Sequence, residues 1–127
     1  MDVTPLIPQG KQIIEAYGDG GFRVSGKRLE GSVIVFPDNT LAWPVSDPAQ
    51  LTAASLAGVG EAGRSGGVEL LLIGTGARMT LIDRTLRQAL RADGVVVETM
   101  DTGAACRTYN VLMAEGRRVA AALIAVP

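Results

Sequence analysis

At 127 residues the chain has the length of one domain, and 47% hydrophobic against 20% charged residues exclude a disordered polymer. Lys and Arg number 12 against 13 Asp and Glu, a net charge of −1, so there is no global field to hold nucleic acid. The absence of histidine and the single cysteine exclude Ser-His-Asp and Cys-His catalysis and every Cys/His zinc cage.

The first third reads as β structure. Runs at 12–18 (QIIEAYG), 21–26 (GFRVSG), 31–37 (GSVIVFP) and 40–45 (TLAWPV) are bounded by Gly, Pro, Asp and Asn. Turns are expected at Ser25-Gly26-Lys27-Arg28 and Pro37-Asp38-Asn39-Thr40, the second joining strands at 32–36 and 40–43 in a hairpin. Asp47 before Pro48 predicts an N-cap with proline at the first helical position. It would open a helix over 49–57 (AQLTAASLA) that stops at Gly58. The glycines from Gly58 to Gly67 predict a flexible connection.

Strand and helix then alternate. VELLLIG (68–74) is apolar nearly throughout, as in a parallel strand buried on both faces. Asp83 is placed to cap the helix RTLRQALRA, with Leu86, Ala89 and Leu90 on one face and Gly94 as its left-handed stop. VVVE (95–98) is a strand. Asp101 or Thr102 caps a helix to about Glu115 whose buried face holds Ala105, Tyr109, Leu112 and Met113, and RRVAAALIAV closes as a strand. The predicted fold class is a compact layered α/β single domain spanning 1–127, β-rich over 12–45 and alternating over 47–126. Its sheet is mixed and largely parallel, with flanking helices and an N-terminal β-hairpin region.

One cysteine points to a reducing compartment, with a cytoplasmic location expected. The opening MDVTPLIPQGKQ lacks the basic and apolar regions of an export signal. The longest apolar run, VAAALIAVP, is far short of the roughly 20 residues that cross a bilayer, so no membrane span is expected.

Two surfaces carry candidate function. Gly74, Thr75 and Gly76 follow one parallel strand and Asp101 and Thr102 follow the next, at the carboxyl ends where ligands bind in such sheets. The glycines do not complete a dinucleotide fingerprint, because Met79 stands at its third position. Cys106, Arg107 and Asn110 lie in the early turns of the following helix and complete a candidate crevice. A cation and the helix dipole would favour the Cys106 thiolate, whereas its place on the flank of the buried stripe favours an inert, packed thiol. Asn110 is expected to bond to backbone in an adjoining loop.

The second surface is the helical stripe Arg84, Arg87 and Arg91, either a solvated face or a docking surface for an acidic protein or lipid head groups. Trp43 joins it as either a core residue or an exposed anchor. No catalytic residue, cofactor or metal is expected.

Taken together, GGFRVSG (20–26), EGSVIVFP (30–37), Trp43, LLIGTG (71–76), MDT (100–102), AACRTYNVL (104–112) and EGRRVAAALI (115–124) resemble a small single-domain family. That family includes mitochondrial respiratory complex I assembly factor 3 and an adipogenesis-associated domain protein. The resemblance runs from about Ile13 to Val126 and implies a three-layer α/β fold and a protein-binding, assembly-type role without established catalytic residues. The chain looks like a bacterial, cytoplasmic member, lacking the Arg-rich presequence of mitochondrial members. The expectation is a non-enzymatic interaction or assembly factor with a protein partner, peripheral to a membrane complex or self-associating. The alternative is a small-molecule-binding domain or thiol-dependent enzyme using the crevice.

Overall fold

Two-residue turns of positive φ fold the first third into hairpins. The computed structural model describes residues 10–127, so the reading of 1–9 as carrying no export signal lies outside the described residues. Strand β1 (Ile14–Gly18) turns at Asp19 (φ 53°) and Gly20 (φ 78°) into β2 (Gly21–Val24). Strand β2 turns at Ser25 (φ 47°) and Gly26 (φ 83°) into β3 (Lys27–Glu30). Both central positions are left-handed, the geometry that matches the twist of the flanking strands. The expected turn at 25–28 thus narrows to two residues. The strand it hides, KRLE, is an exposed edge too charged to announce itself by apolar alternation.

A second sheet has the order β5-β4-β8-β6-β7. Strands β4 (Val33–Val35) and β5 (Thr40–Ala42) form the expected hairpin. Strand β6 (Leu70–Gly74) is buried throughout and lies parallel between β7 (Val96–Met100) and β8 (Val119–Leu123). Strand β8 is also antiparallel to β4 and therefore joins the two halves of the sheet.

Alternation of side chains splits the core between the two faces. Leu71, Ile73, Ala120, Ala122 and Val97 pack beneath helices α1 (Ala57–Arg64) and α2 (Arg84–Ala92). Leu70, Leu72, Ala121 and Leu123 pack beneath helix α3 (Thr102–Ala114) and the three-stranded sheet. Tyr109 and Phe22 are wholly buried on this second side, and fully burying a side chain like Phe22 contributes about 1.5–3 kcal/mol.

The helix expected over 49–57 is not formed. Short 3₁₀ turns at Pro48–Gln50 and Ala54–Leu56 occupy the segment, and α1 begins where that helix was to stop. Asp47 and Gln50 do form a capping box behind Pro48. Beyond it, Thr52 and Ser55 bond each other's backbone, Ser55 Oγ donating to Thr52 O at 2.7 Å, which closes a local turn in competition with a helix. The expected flexible glycine connection is instead α1 itself. Its glycines permit close approach: a Cβ on Gly63 would stand 2.7 Å from Asp93 O and one on Gly60 2.6 Å from Asp93 Oδ2.

Candidate functional site

The carboxyl ends of β6, β7 and β8 converge on the first turn of α3. Thr102 is fully buried there. Its Oγ1 donates to Ile124 O at 2.7 Å and accepts from Gly76 N at 3.0 Å, while its own N–H donates to Gly76 O at 2.8 Å. Thr75 N donates to Met100 O at 3.0 Å and Ile124 N to Gly74 O at 2.9 Å. These bonds bring Gly74, Thr75, Gly76, Asp101 and Thr102 together as a closed seam. Gly74 is required because a Cβ there would lie 2.9 Å from Thr102 Cα. The Asp101 carboxylate is spent capping α3, accepting from Ala104 N at 2.9 Å.

Open space lies outside the seam, on either side of Tyr17. A hollow of about 290 Å³ is bounded by Tyr17, Gly76, Ala77, Asp101 and Gly103. Another, of about 340 Å³, runs between β1 and α3 and holds Cys106, Arg107 and Asn110. Of the residues expected to line one crevice, Gly76 and Asp101 border the first hollow, Cys106, Arg107 and Asn110 the second, and Gly74, Thr75 and Thr102 neither. Tyr17, which sequence reasoning passed over as a strand residue, stands between the two hollows. The signal that could have found it is Gly103, a poor helix former in the first turn of α3. A Cβ there would meet the Tyr17 hydroxyl at 2.5 Å.

The chemistry of these groups is quiet. Cys106 is 3% exposed, and burial pushes its thiol up to about 12, against a smaller opposing pull from Arg107. At neutral pH it is a packed thiol rather than a nucleophile. Arg107 donates to the Tyr17 hydroxyl across 3.4 Å. Asn110 spends its amide on β1: Ile14 N donates to its Oδ1 at 2.9 Å and its Nδ2 donates to Ile14 O at 2.7 Å. The partner is thus backbone, as expected, but on a strand rather than a loop. Among the described residues no three His, Cys, Asp or Glu side chains stand close enough together to hold a metal ion.

The second expected surface changes in composition. Trp43 is not an exposed anchor: it is 5% exposed, packs with the α1 and α2 core, and donates from Nε1 to Ser55 O at 2.8 Å. The end of the 3₁₀ turn leaves that carbonyl free, and the indole N–H satisfies it. Arg84 and Arg91 are exposed, whereas Arg87 is half-buried and donates to Val97 O on the outer edge of β7. Sequence reading missed the exposed apolar residues of the loop before α2. Met79 is 53% and Leu81 80% exposed. Buried Thr75 pins this loop, its Oγ1 donating to Arg78 O at 2.7 Å and accepting from Thr80 N at 2.9 Å.

Comparison with known proteins supports the fold and the family. An uncharacterised protein of Rhodobacter capsulatus is 38% identical over 115 residues, covering 90% of this chain and 85% of its own. NADH dehydrogenase (ubiquinone) 1 alpha subcomplex assembly factor 3 of Xenopus tropicalis is 37% identical over 111 residues; the match covers 87% of this chain but only 60% of the factor. A solved structure described as an outer membrane protein from Bartonella henselae superimposes with a TM-score of 0.86 at 39% identity, covering 96% of this chain and 100% of the other. Among the described residues no helix is long and apolar enough to cross a membrane. Residues 14–124 match the family model described as a protein of unknown function, DUF498/DUF598, and the chain belongs to that family.

Proposed function

We propose that this protein is a non-catalytic binding factor that assists the assembly of a larger protein complex, acting in the cytoplasm. The observation that carries the reading is the 37% identity, over 87% of the chain, to an assembly factor. The chemistry is consistent with it: the one thiol is held protonated by burial, and Asp101 and Asn110 are committed to cap and strand. The hollows beside Tyr17 then shape a surface rather than an active site, and the arginines of α2 are the candidate contact with a partner. Arg107 pulls Cys106 toward the thiolate, and burial outweighs it, which counts against the thiol-enzyme alternative.

The test is crosslinking of the tagged chain in its source cell, identification of the crosslinked protein, and reconstitution from the two purified components. A stoichiometric complex that raises the yield of the partner's mature assembly is expected. Failure of the purified proteins to associate, or normal maturation in cells lacking the chain, would overturn the reading.

A further inference from the structure

Among the described residues the two sheets end in four edge strands, and the chain treats them differently. Strand β3 is an edge of charged residues, β5 is only three residues long, and β1 has its Ile14 backbone groups occupied by Asn110. Strand β7 is five residues long, Val-Val-Glu-Thr-Met, and ends its sheet with no partner beyond it among the described residues. In its parallel pairing with β6, Val96 N donates to Glu69 O and Met100 O accepts from Thr75 N. Backbone groups of 96, 98 and 100 therefore face inward and those of Val97 and Thr99 face out. The Arg87 guanidinium on Val97 O is in keeping with this and occupies one outward acceptor.

What flanks this edge specifies what fits it. Arg84, Arg87 and Arg91 share one face of α2 at i, i+3 and i+7, and the Arg87 bond sets that face beside β7. None of the three lies within ion-pair distance of a carboxylate among the described residues. The carboxylates at the two ends of α2 are committed: Asp83 caps Thr85 N at 2.8 Å and Asp93 pairs with Arg64 at 3.0 Å. Exposed Met79 reaches the same edge, its sulfur 3.9 Å from Thr99 Oγ1. On the opposite face a hollow of about 600 Å³ is bordered by Val96, Glu98 and Glu69, and Glu69 already pairs with both Arg117 and Arg118 at 2.9 Å, so among the described residues the unpaired arginines at this edge lie on the α2 side alone.

From this juxtaposition we infer that the outer edge of β7 is a strand-addition site for an extended acidic segment of a protein partner. Backbone bonds to Val97 and Thr99 hold the segment, and its acidic side chains meet the α2 arginines. Arg87 trades the Val97 carbonyl for a partner carboxylate as the segment enters. Side chains on the segment's other face meet Val96, Glu98 and Met100, where Glu98 repels a second row of acids, so acidic and apolar residues alternate along it. The inference rests on the partner-binding reading above and gives that partner a chemistry.

The test is selection from a displayed library of short random peptides on the purified chain, followed by synthesis of the enriched peptide. The enriched sequences are expected to alternate acidic and apolar residues. Amide shifts on titration should centre on Val96–Met100 and α2 and include the Arg87 Nε–H. Two perturbations separate the edge from bulk charge. Thr99→Pro deletes an outward N–H and no bond to β6, and should abolish binding with little loss of thermal stability. Arg84→Glu with Arg91→Glu should weaken binding by about tenfold or more. If Thr99→Pro does not fold, N-methylation of alternate peptide amides tests the same bonds on the wild-type chain, and one of the two methylation patterns should abolish binding.

The inference is overturned if no acidic-apolar peptide emerges, or if binding survives the perturbations. It is equally overturned if the arginines instead hold vesicles of phosphatidylcholine with phosphatidylglycerol, or if a second copy of the chain occupies the edge. Should the partner reconstituted above bind the Thr99→Pro and Arg→Glu variants undiminished, the assembly reading stands and the β7 site alone falls.

Discussion

Gly74 and Gly103 both stand where a methyl group would collide, yet the two collisions differ in kind. At Gly74 the obstacle is Thr102 Cα, fixed by three hydrogen bonds between Thr102 and Ile124 and Gly76. Gly74→Ala is expected to cost about 1–3 kcal/mol, because that backbone cannot retreat. At Gly103 the obstacle is the end of the Tyr17 side chain, which is 43% exposed and can swing aside at the cost of the long 3.4 Å bond from Arg107. There the gain of about 1 kcal/mol from replacing helical glycine offsets the displacement. Gly103→Ala should therefore be near neutral alone and stabilising in a Tyr17→Ala background, as read from denaturant midpoints of the four proteins. Cys106 gives a pH-dependent prediction at the same scale. Its folded thiol is raised from an ordinary value of 9.0 to about 12, so the unfolded chain releases the proton first. The stabilisation is present below pH 9.0 and is lost as pH rises toward about 12. Within that window stability falls by about 1.4 kcal/mol per pH unit from this group. Tyr109, also raised by burial, adds to the decline above pH 10.0. Urea midpoints from pH 8 to pH 10 should drop more steeply for the wild type than for Cys106→Ala; equal slopes would mean the thiol is not shielded in the native state.

The joint between α3 and β1 depends on one side chain. Asn110 sits mid-helix, where its amide would be a liability unless bonded, and it supplies both a donor and an acceptor to Ile14. Asn110→Leu leaves two backbone groups of β1 without partners in a part-buried place, at an expected cost of about 2–4 kcal/mol. Hydrogen exchange should localise the loss: the Ile14 amide accelerates, while the β6 amides hold their protection until global unfolding. The same element shows what a sequence can disclose. Residues 101–116 are legible because a cap, an apolar stripe and a glycine stop agree, and α3 runs Thr102–Ala114. Residues 47–64 are not, because their signals conflict. Asp47 and Pro48 mark a helical start that Thr52 and Ser55 interrupt, and the glycines that look like a linker are contacts of a helix with Asp93 and Val95. Glycine at a close approach and glycine in a loop are the same letter, and only tertiary packing separates them. Trp43 was ambiguous for a similar reason, since the carbonyl that satisfies its indole lies 12 residues away along the chain.

At the scale of the molecule, the layered α/β class and the parallel placement of β6 follow from its uninterrupted apolar run, and the structure agrees. Strand order was not legible. Nothing local tells β8 to lie between β4 and β6, antiparallel to one and parallel to the other. The two loops expected to form one crevice adjoin, but sequence carries no sign that Thr102 closes their meeting or that Tyr17 divides the space outside it. The position of β8 has a thermodynamic consequence. Ala120 and Ala122 face the α1 and α2 layer, while Ala121 and Leu123 face α3, and all four are fully buried. Neither layer can be lost without exposing a strand that the other layer needs, so the domain should unfold in one step. Two native reporters test this on opposite sides of the sheet. Trp43 belongs to the α1 and α2 side and is the only tryptophan. Cys106 belongs to the α3 side and is the only thiol. In urea, tryptophan fluorescence and the equilibrium fraction of chains with a reactive thiol should share one midpoint. Thiol labelling that rises before the fluorescence changes would mean that α3 detaches first and that β8 does not couple the two layers.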